Sequence, residues 1–271
     1  MGLREVREET AELGDQPVYY RRAGDDEIPV LFLHGVPTSS DDWVPFLQRC
    51  GGIAPDLPGF GRSGKRGDGD FTMEGYADFI DRFLDMLGIE RVHLCVHDWG
   101  VVGLVWAMRD PSRVKRLVVM NGVPLLPGYR WHRAARLWRM RGVGEFAMGL
   151  SIKSVVGASL KEAMPQGGPA VKALRDQVME HFDQGTQRAI LKLYRTSPPD
   201  ALAAAGTRLG TITAPALVLW GDDDPYIPSR FGSGYAAALG DAQLELVEGA
   251  GHWPWLDRPE LVERVRAHLM G

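Results

Sequence analysis

The sequence predicts an α/β fold, in which a mostly parallel sheet carries helices on both faces and is interrupted by a helical insertion. In two parts of the chain, short apolar runs that end in turn residues alternate with segments of helical periodicity. A middle block, residues 121–209, contains little that resembles a strand. We therefore expect residues 1–120 and 210–271 to form one core domain and residues 121–209 to form a helical cap, or lid, inserted between its halves.

Four short apolar runs predict the strands of the first part. Val30–Leu33 ends in a His-Gly pair, which is a turn signal, and the other runs are Gly52–Ala54, Val92–Val96 and Leu117–Met120. These runs are apolar at nearly every position, not at every second one. Such continuous runs are typical of strands buried on both faces of a parallel sheet.

Helices are predicted between these strands. Ser39, Ser40 or Asp41 is a suitable cap for a first helix that carries Trp43. From about Thr72 to Leu87, apolar residues recur at three- and four-residue spacing, which predicts a helix with one face toward the core. A third helix is expected over residues 100–108.

The middle block is rich in Arg, Ala, Leu, Met and Trp and has breakers at Pro165, residues 167–169 and Pro198-Pro199. This composition predicts several helices separated by short loops. The strand and helix alternation then resumes with strands at Ala216–Trp220 and Leu244–Val247 and helices at Ser229–Leu239 and Pro259–Leu269.

The composition argues against several function classes. The formal net charge of −4 and the pI near 6.0 do not favour a nucleic-acid or membrane partner, although they leave a local basic patch open. The two cysteines, Cys50 and Cys95, have neither metal-ligand nor disulfide-scaffold spacing. With no secretory signal and no long apolar stretch in view, we expect a cytoplasmic monomer or homodimer without metal or cofactor.

The strongest functional signal is the segment Val96–Gly100, in which an apolar strand, a sharp turn and a helix follow one another. This pattern places residue 98 at the carboxyl edge of the sheet, above a helix N-terminus that stabilises an anion. Serine is usual at such a position, whereas here it is Asp98. A carboxylate that attacks an acyl carbon gives an unstable anhydride, whereas attack on an sp3 carbon gives an alkyl ester that water can later hydrolyse. Simple capping of the helix by Asp98 is the alternative.

Two further loops at predicted strand ends suit a catalytic triad. His252 lies among glycines after the last strand, where it can serve as a general base, and an acid from residues 222–224 can orient its imidazole. A solvated turn is the alternative for the acidic loop. The chain order nucleophile, acid, histidine is the order in which α/β-hydrolases carry these residues.

With these motifs the chain resembles the α/β-hydrolases that use an Asp nucleophile, the epoxide hydrolases and haloalkane dehalogenases. The resemblance implies an α/β-hydrolase fold, selects Asp224 as the acid, and implies an oxyanion hole made by the backbone N–H groups of Val36 and Trp99. It also implies that His34, beside Val36, lies at the substrate or oxyanion side of the site. The matching segments are His34-Gly35-Val36-Pro37, residues 56–63, His97-Asp98-Trp99-Gly100, residues 221–225 and Gly251-His252.

The leaving group separates the two reactions. An epoxide oxygen needs a proton donor, and Tyr194 resembles a cap tyrosine that supplies one in epoxide hydrolases. The expected first cap tyrosine is missing near residues 143–147, and Tyr129, His132 or His181 can substitute for it.

A halide needs only N–H donors. Trp99 resembles one of the dehalogenase donors, but Val36 stands where a second donor, Asn, is common. The sequence favours epoxide hydrolysis of a small apolar substrate by water, with haloalkane dehalogenation as the alternative. A ligand-binding protein that has lost turnover is a third possibility.

Overall fold

The computed structural model describes residues 2–151 and 153–271, and its centre is an eight-stranded sheet. The strand order is β1-β2-β4-β3-β5-β6-β7-β8, in which every pair from β4 to β8 is parallel. This confirms the predicted mostly parallel sheet. The strands are β1 (Arg7–Glu12), β2 (Pro17–Ala23), β3 (Val30–Leu33), β4 (Gly52–Pro55), β5 (Val92–His97), β6 (Val114–Met120), β7 (Ala216–Gly221) and β8 (Ala242–Val247).

The sequence analysis did not identify β1 and β2. They form an antiparallel hairpin at one edge, and β2 also pairs antiparallel with β4. β1 has no fully buried residue, while β2 buries Val18, Tyr19 and Tyr20 in a row. A strand at the edge of a sheet can expose polar side chains on both faces, so it lacks the continuous apolar run that marks the central strands.

Helices cover both faces, as predicted. Ser39 caps a 3-10 turn that leads into the first helix, and Thr72 caps the second. The helices are α1 (Val44–Cys50), α2 (Met73–Met86), α3 (Val102–Ala107), α4 (Arg133–Trp138), α5 (Val143–Gly149), α6 (Lys153–Ala163), α7 (Pro169–His181), α8 (Gln184–Thr196), α9 (Pro199–Ala205), α10 (Arg230–Ala238), α11 (Pro254–Asp257) and α12 (Leu261–Met270).

Alternate side chains of each central strand enter different halves of the core. Leu31 and Leu33 of β3 pack with the side of the sheet that carries α2 and α3. Val30 and Phe32 pack on the opposite side, with α1 and α12. Both cysteines are buried free thiols, and Cys95 belongs to this second half. The site residues at the strand ends therefore stand on a support packed from both faces.

Helices α4–α9 lie between β6 and β7, and the described residues from 121 to 215 include no strand. Part of this helical segment joins each half of the core: α8 packs with the α2 side, while α6 and α7 pack with the α1 side. No single helix in the described ranges is long and apolar enough to cross a membrane. The boundaries 121–209 of a cap domain stay a prediction.

Gly100 sets how closely the turn after β5 approaches β3. A Cβ atom at this position would overlap the carbonyl oxygen of Leu33. We expect Gly100→Ala to lower the free energy of unfolding by about 1–3 kcal/mol, because backbone must move to relieve the overlap. Urea denaturation measures this free energy of unfolding. The control is Gly149→Ala, since a Cβ atom there meets nothing within 4 Å. Equal stability of Gly100→Ala and wild type would contradict the close approach.

Candidate active site

Asp98 stands at a sharp turn between β5 and the following 3-10 turn, Asp98–Val101. Its φ angle is 48°, which is rare for a residue other than glycine, and its side chain is buried. Gly35 permits the turn, because a Cβ atom on it would overlap the Asp98 carboxylate. The turn places this carboxylate at the carboxyl ends of the strands, as the sequence predicted for residue 98.

The two carboxylate oxygens of Asp98 have different partners. The backbone N–H of Val36 donates to Oδ1 at 2.8 Å, and Nε2 of His252 lies 3.4 Å from Oδ2. Burial raises the pKa of Asp98, but His252 and this N–H outweigh it, so that the pKa is below its ordinary value. The ionised form, which is the nucleophilic form, is therefore favoured.

Asp224 fixes the orientation of His252. Nδ1 of His252 donates to Oδ2 of Asp224 at 2.7 Å, while the backbone N–H groups of Tyr226 and Ile227 donate to Oδ1 at 2.8 and 3.0 Å. With Asp224 so held, Nε2 of the imidazole points to Asp98. Both neighbouring acids, Asp222 and Asp223, are exposed.

His252 is buried between two carboxylates. Burial lowers its pKa, but Asp224 and Asp98 outweigh burial, and the net effect is a pKa well above the ordinary value for histidine. In the resting site the two carboxylates therefore favour the imidazolium form. Loss of one of the two negative charges would favour the neutral form, which can act as a base.

The backbone of the His252 loop is held from two sides. Its own N–H donates to the carbonyl of Ala163, at the end of α6, at 2.7 Å. Its carbonyl accepts from Nε2 of His97 at 2.8 Å, and the preceding Gly251 N–H donates to Asp257 at 2.8 Å. Burial lowers the pKa of His97 to about 3, so this histidine is a neutral support. The sequence analysis gave no role to Ala163, His97 or Asp257.

Asn121 is a further residue of the site, and the sequence analysis gave it no role. It follows β6 directly, is buried with φ 38°, and donates from Nδ2 to Oδ2 of Asp224 at 2.8 Å. Its Oδ1 accepts the N–H of Gly221 at 3.0 Å. Asn121 thus ties the end of β6 to the acid that follows β7. An asparagine directly after an apolar strand, a residue type that tolerates φ above zero, is the sequence signal that could have found it.

A cavity of about 290 Å³ opens above Asp98 and His252. The helical segment contributes most of its walls, and their surface is largely apolar. The predicted Tyr194 and Tyr129 both line it, and so does His132. The hydroxyl of Tyr129 donates to the carbonyl of Tyr226 at 3.4 Å. Burial and the charge of Asp98 raise the pKa of Tyr194, which keeps its phenol protonated.

His34, one of the predicted substrate residues, lies elsewhere. His34 is fully buried: Nδ1 donates to the carbonyl of Gly35 at 2.8 Å and Nε2 accepts the N–H of Leu57 at 2.9 Å. Both ring nitrogens are therefore used within the framework, and His34 does not line the cavity, contrary to the expectation. The ring of Trp99 packs edge-on against Tyr194 at 5.2 Å, behind the cavity wall, and its Nε1 has no hydrogen-bond partner among the described residues.

Of the two predicted oxyanion-hole groups, the Val36 N–H contacts Oδ1 of Asp98. The role of the Trp99 backbone N–H stays a prediction. Within residues 2–151 and 153–271, no cluster of three or more His, Cys, Asp or Glu side chains has the arrangement of a metal site.

Comparison with known proteins gives the class. The model of the Alpha/beta hydrolase family matches residues 30–265, and the chain belongs to this family. It has the α/β-hydrolase fold, and its relatives place it in the dehalogenase-like branch of hydrolases.

Three similar proteins illustrate this position. A haloalkane dehalogenase from Mesorhizobium japonicum is 30% identical over 93% of this chain and 87% of the relative. A 2-hydroxy-6-oxononadienedioate/2-hydroxy-6-oxononatrienedioate hydrolase from Cupriavidus pinatubonensis is 25% identical over 89% and 86%. The crystal structure of a haloalkane dehalogenase from Bradyrhizobium elkani covers 98% of both chains with a TM-score of 0.82 and 29% identity. These names cover more than one substrate class.

The assignment of Asp224 leads to a direct test of the site's electrostatics. We expect Asp224→Asn to lower the pKa of His252, because the substitution removes the carboxylate that bonds Nδ1. Asp223→Asn, at the exposed neighbouring position, should leave that pKa unchanged. The ring 15N chemical shifts of His252, followed by NMR over a pH titration, measure it. An equal pKa in both variants would show that Asp224 is not the partner.

Proposed function

We propose that this hydrolase acts at an sp3 carbon through a covalent alkyl ester on Asp98, and that its substrate is a small apolar epoxide. The observation that carries the proposal is the identity of the elbow residue, a buried carboxylate that contacts His252 and the Val36 N–H. A carboxylate forms a stable ester only with a carbon that is not an acyl carbon. The intact nucleophile, acid and base argue against a protein that only binds its ligand.

In the first step, Oδ2 of Asp98 attacks a ring carbon of the epoxide in line with the carbon–oxygen bond that breaks. The electron pair of that bond goes to the ring oxygen, which takes a proton from a donor in the cavity wall. The product is an ester between Asp98 and a β-hydroxyalkyl group. No metal or redox change is needed for this balance.

In the second step, a water molecule hydrolyses the ester. Ester formation removes the negative charge of Asp98, so one of the two carboxylates that raise the pKa of His252 is lost, and its proton passes to the wall donor that was deprotonated in the first step. Neutral His252 then accepts a proton from water, which attacks the ester carbonyl, while the Val36 N–H stabilises the oxyanion. On collapse, the leaving oxygen takes the proton from His252 to complete a vicinal diol, and the Asp98 carboxyl passes its remaining proton to His252, which restores the carboxylate and the imidazolium.

Two groups support an oxygen leaving group. Tyr194 lines the cavity with a protonated phenol that interacts with the Trp99 side chain. His132 also lines the cavity, and the N–H of Ala135 points at its Nδ1 at 3.4 Å, so a neutral ring carries its proton on Nε2. Burial lowers the pKa of His132 to about 4, which keeps the ring neutral. We propose Tyr194 and His132 as the donors to the epoxide oxygen.

Haloalkane dehalogenation is the second candidate function. The free Nε1–H of Trp99 is the observation that favours it, together with the names of the relatives above. A halide needs at least one more N–H donor. Val36 has none in its side chain, and Nε1 of Trp131 donates to the carbonyl of Ser197 at 3.1 Å. The epoxide proposal therefore stands first.

The order of the two steps predicts a pH dependence. Because the pKa of Asp98 is lowered, ester formation should continue into mildly acidic solution. Ester hydrolysis requires neutral His252 and should slow as the pH falls. We expect the alkyl-enzyme, seen as an intact-mass increase equal to the substrate, to accumulate at about pH 5.5 and not at about pH 8.5. His252→Gln should trap it at both values. Turnover by Asp98→Asn at the wild-type rate would refute the covalent mechanism.

The leaving group can be decided by a paired assay of diol from a styrene-oxide-type epoxide and of halide from a 1-bromoalkane. We expect diol formation, with Tyr194→Phe and His132→Phe each lowering kcat by about 10²-fold, since each removes a donor to the developing alkoxide. Tyr129→Phe is the control, because its hydroxyl is turned to Tyr226. Release of halide without formation of diol, together with loss of halide release in Trp99→Phe, would show that the reaction is dehalogenation and not epoxide hydrolysis.

A further inference from the structure

Positive charge is concentrated on one short stretch of a chain whose net charge is −4. Residues 130–141 contain five arginines and no acidic residue. Arg139 donates to backbone carbonyls of Tyr194 and Ser197. The other four are exposed and make no ion pair within the described parts of the chain: Arg130, Arg133, Arg136 and Arg141.

Glu145, the nearest carboxylate in sequence, does not offset these charges. Glu145, in the first turn of α5, forms an ion pair with Arg195 at 2.8 Å. This pairing lowers the pKa of Glu145 to about 2, so it remains a partner of Arg195. The surface around α4 and the start of α5 therefore has a local positive potential.

Exposed apolar side chains are concentrated at the same place. Among the residues that the structure describes, eleven large hydrophobic side chains are exposed, and six of them lie between residues 137 and 155. Phe146 is the most exposed of these eleven, at 71%. The six exposed apolar side chains are Leu137, Met140, Val143, Phe146, Leu150 and Val155. Together with the four exposed arginines, we call them the entrance face. Apolar surface collected in this way marks an interaction site.

The entrance face borders the cavity. Leu137 and Val155 are exposed and also line the cavity above Asp98. Val143, Phe146 and Leu150, spaced by three and four residues, project from one side of α5 beside this opening. An apolar compound that collects on the entrance face is therefore next to the way into the site.

We propose that the entrance face binds reversibly to the surface of an anionic lipid bilayer, from which apolar substrate passes into the cavity. Aromatic and aliphatic side chains bordered by arginines, without acidic neighbours, are the composition of segments that lie in the interface of such a bilayer. Charge complementarity also favours an anionic bilayer over a second copy of this chain as the partner of the entrance face. In a two-fold dimer through this face, the arginines of one copy would meet those of the other. The proposal revises the expectation, drawn from net charge, that no membrane is involved.

Binding to a bilayer can be measured without catalysis, so a negative binding result is distinct from a failure of the proposed reaction. Only the delivery of substrate to the cavity rests on the proposed function. The measurement is sedimentation of the full chain with phosphatidylcholine vesicles, with and without about one third phosphatidylglycerol. We expect binding to the anionic vesicles that weakens as salt is raised from about 0.05 to 0.5 M. The double variant Arg133→Glu/Arg136→Glu should bind at least about tenfold more weakly. Phe146→Ser/Leu150→Ser should also lose binding, because insertion of apolar side chains is removed.

Matched controls separate the entrance face from general charge. Arg91→Glu/Arg208→Glu changes two exposed arginines outside this face, one of them at the amino end of β5 on the opposite edge of the sheet from Asp98. Leu246→Ser changes a side chain that is 49% exposed on β8. These variants should bind as wild type does, and circular dichroism checks the fold of all of them. Equal sedimentation with both vesicle types, no sedimentation, or a dimer in light scattering that Phe146→Ser abolishes would each overturn the proposal.

Discussion

The contact of His252 with two carboxylates is the interaction on which the rest of the site depends. Burying three ionisable groups is unfavourable unless each is paired and hydrogen-bonded. The surrounding backbone provides this: Val36 N–H for Asp98, and two N–H groups with the Asn121 amide for Asp224. The left-handed turn at Asp98 and the close approach at Gly35 exist to bring these partners together. Loss of one negative charge in this arrangement converts an acid into a base, which is what a two-step hydrolysis needs.

The helical segment between β6 and β7 does more than cover the cavity. The His252 N–H donates to the Ala163 carbonyl, and Asp257 accepts N–H groups from both Gln166 and Gly251. The end of α6 and the catalytic loop are thus joined by hydrogen bonds through both backbone and side chain. A movement of α6 that opened the entrance would also displace the base. The hydrogen bonds therefore fix the position of the His252 loop relative to the end of α6.

The strands and turns that were predicted correctly are those that can be read from residues adjacent in the sequence. Central strands are apolar along their whole length, and the Asp98 turn combines a strand, small residues and a helix within a few positions. The β1–β2 hairpin was missed because an edge strand needs no such run. Asn121 hydrogen-bonds Asp224, 103 positions away, and Asp257 hydrogen-bonds Gly251, 6 positions away. The residues next to Asn121 and Asp257 in sequence therefore do not reveal these partners. His34 was misplaced because its motif lies next to Val36, while its ring turns inward to Leu57.

The same burial that stabilises the triad restricts the leaving group. An anion released into a largely apolar cavity must be hydrogen-bonded there or be neutralised. A halide cannot be protonated at neutral pH, so it depends on several fixed donors, of which Trp99 Nε1 is one free example. An alkoxide is basic enough to take a proton from a phenol. The raised pKa of Tyr194 weakens that phenol as an acid in the resting site, where the negative charge of Asp98 acts against its ionisation. In the proposed reaction, attack by Asp98 would transfer this charge to the leaving oxygen, so the phenol would donate to a base that forms only as the carbon–oxygen bond breaks.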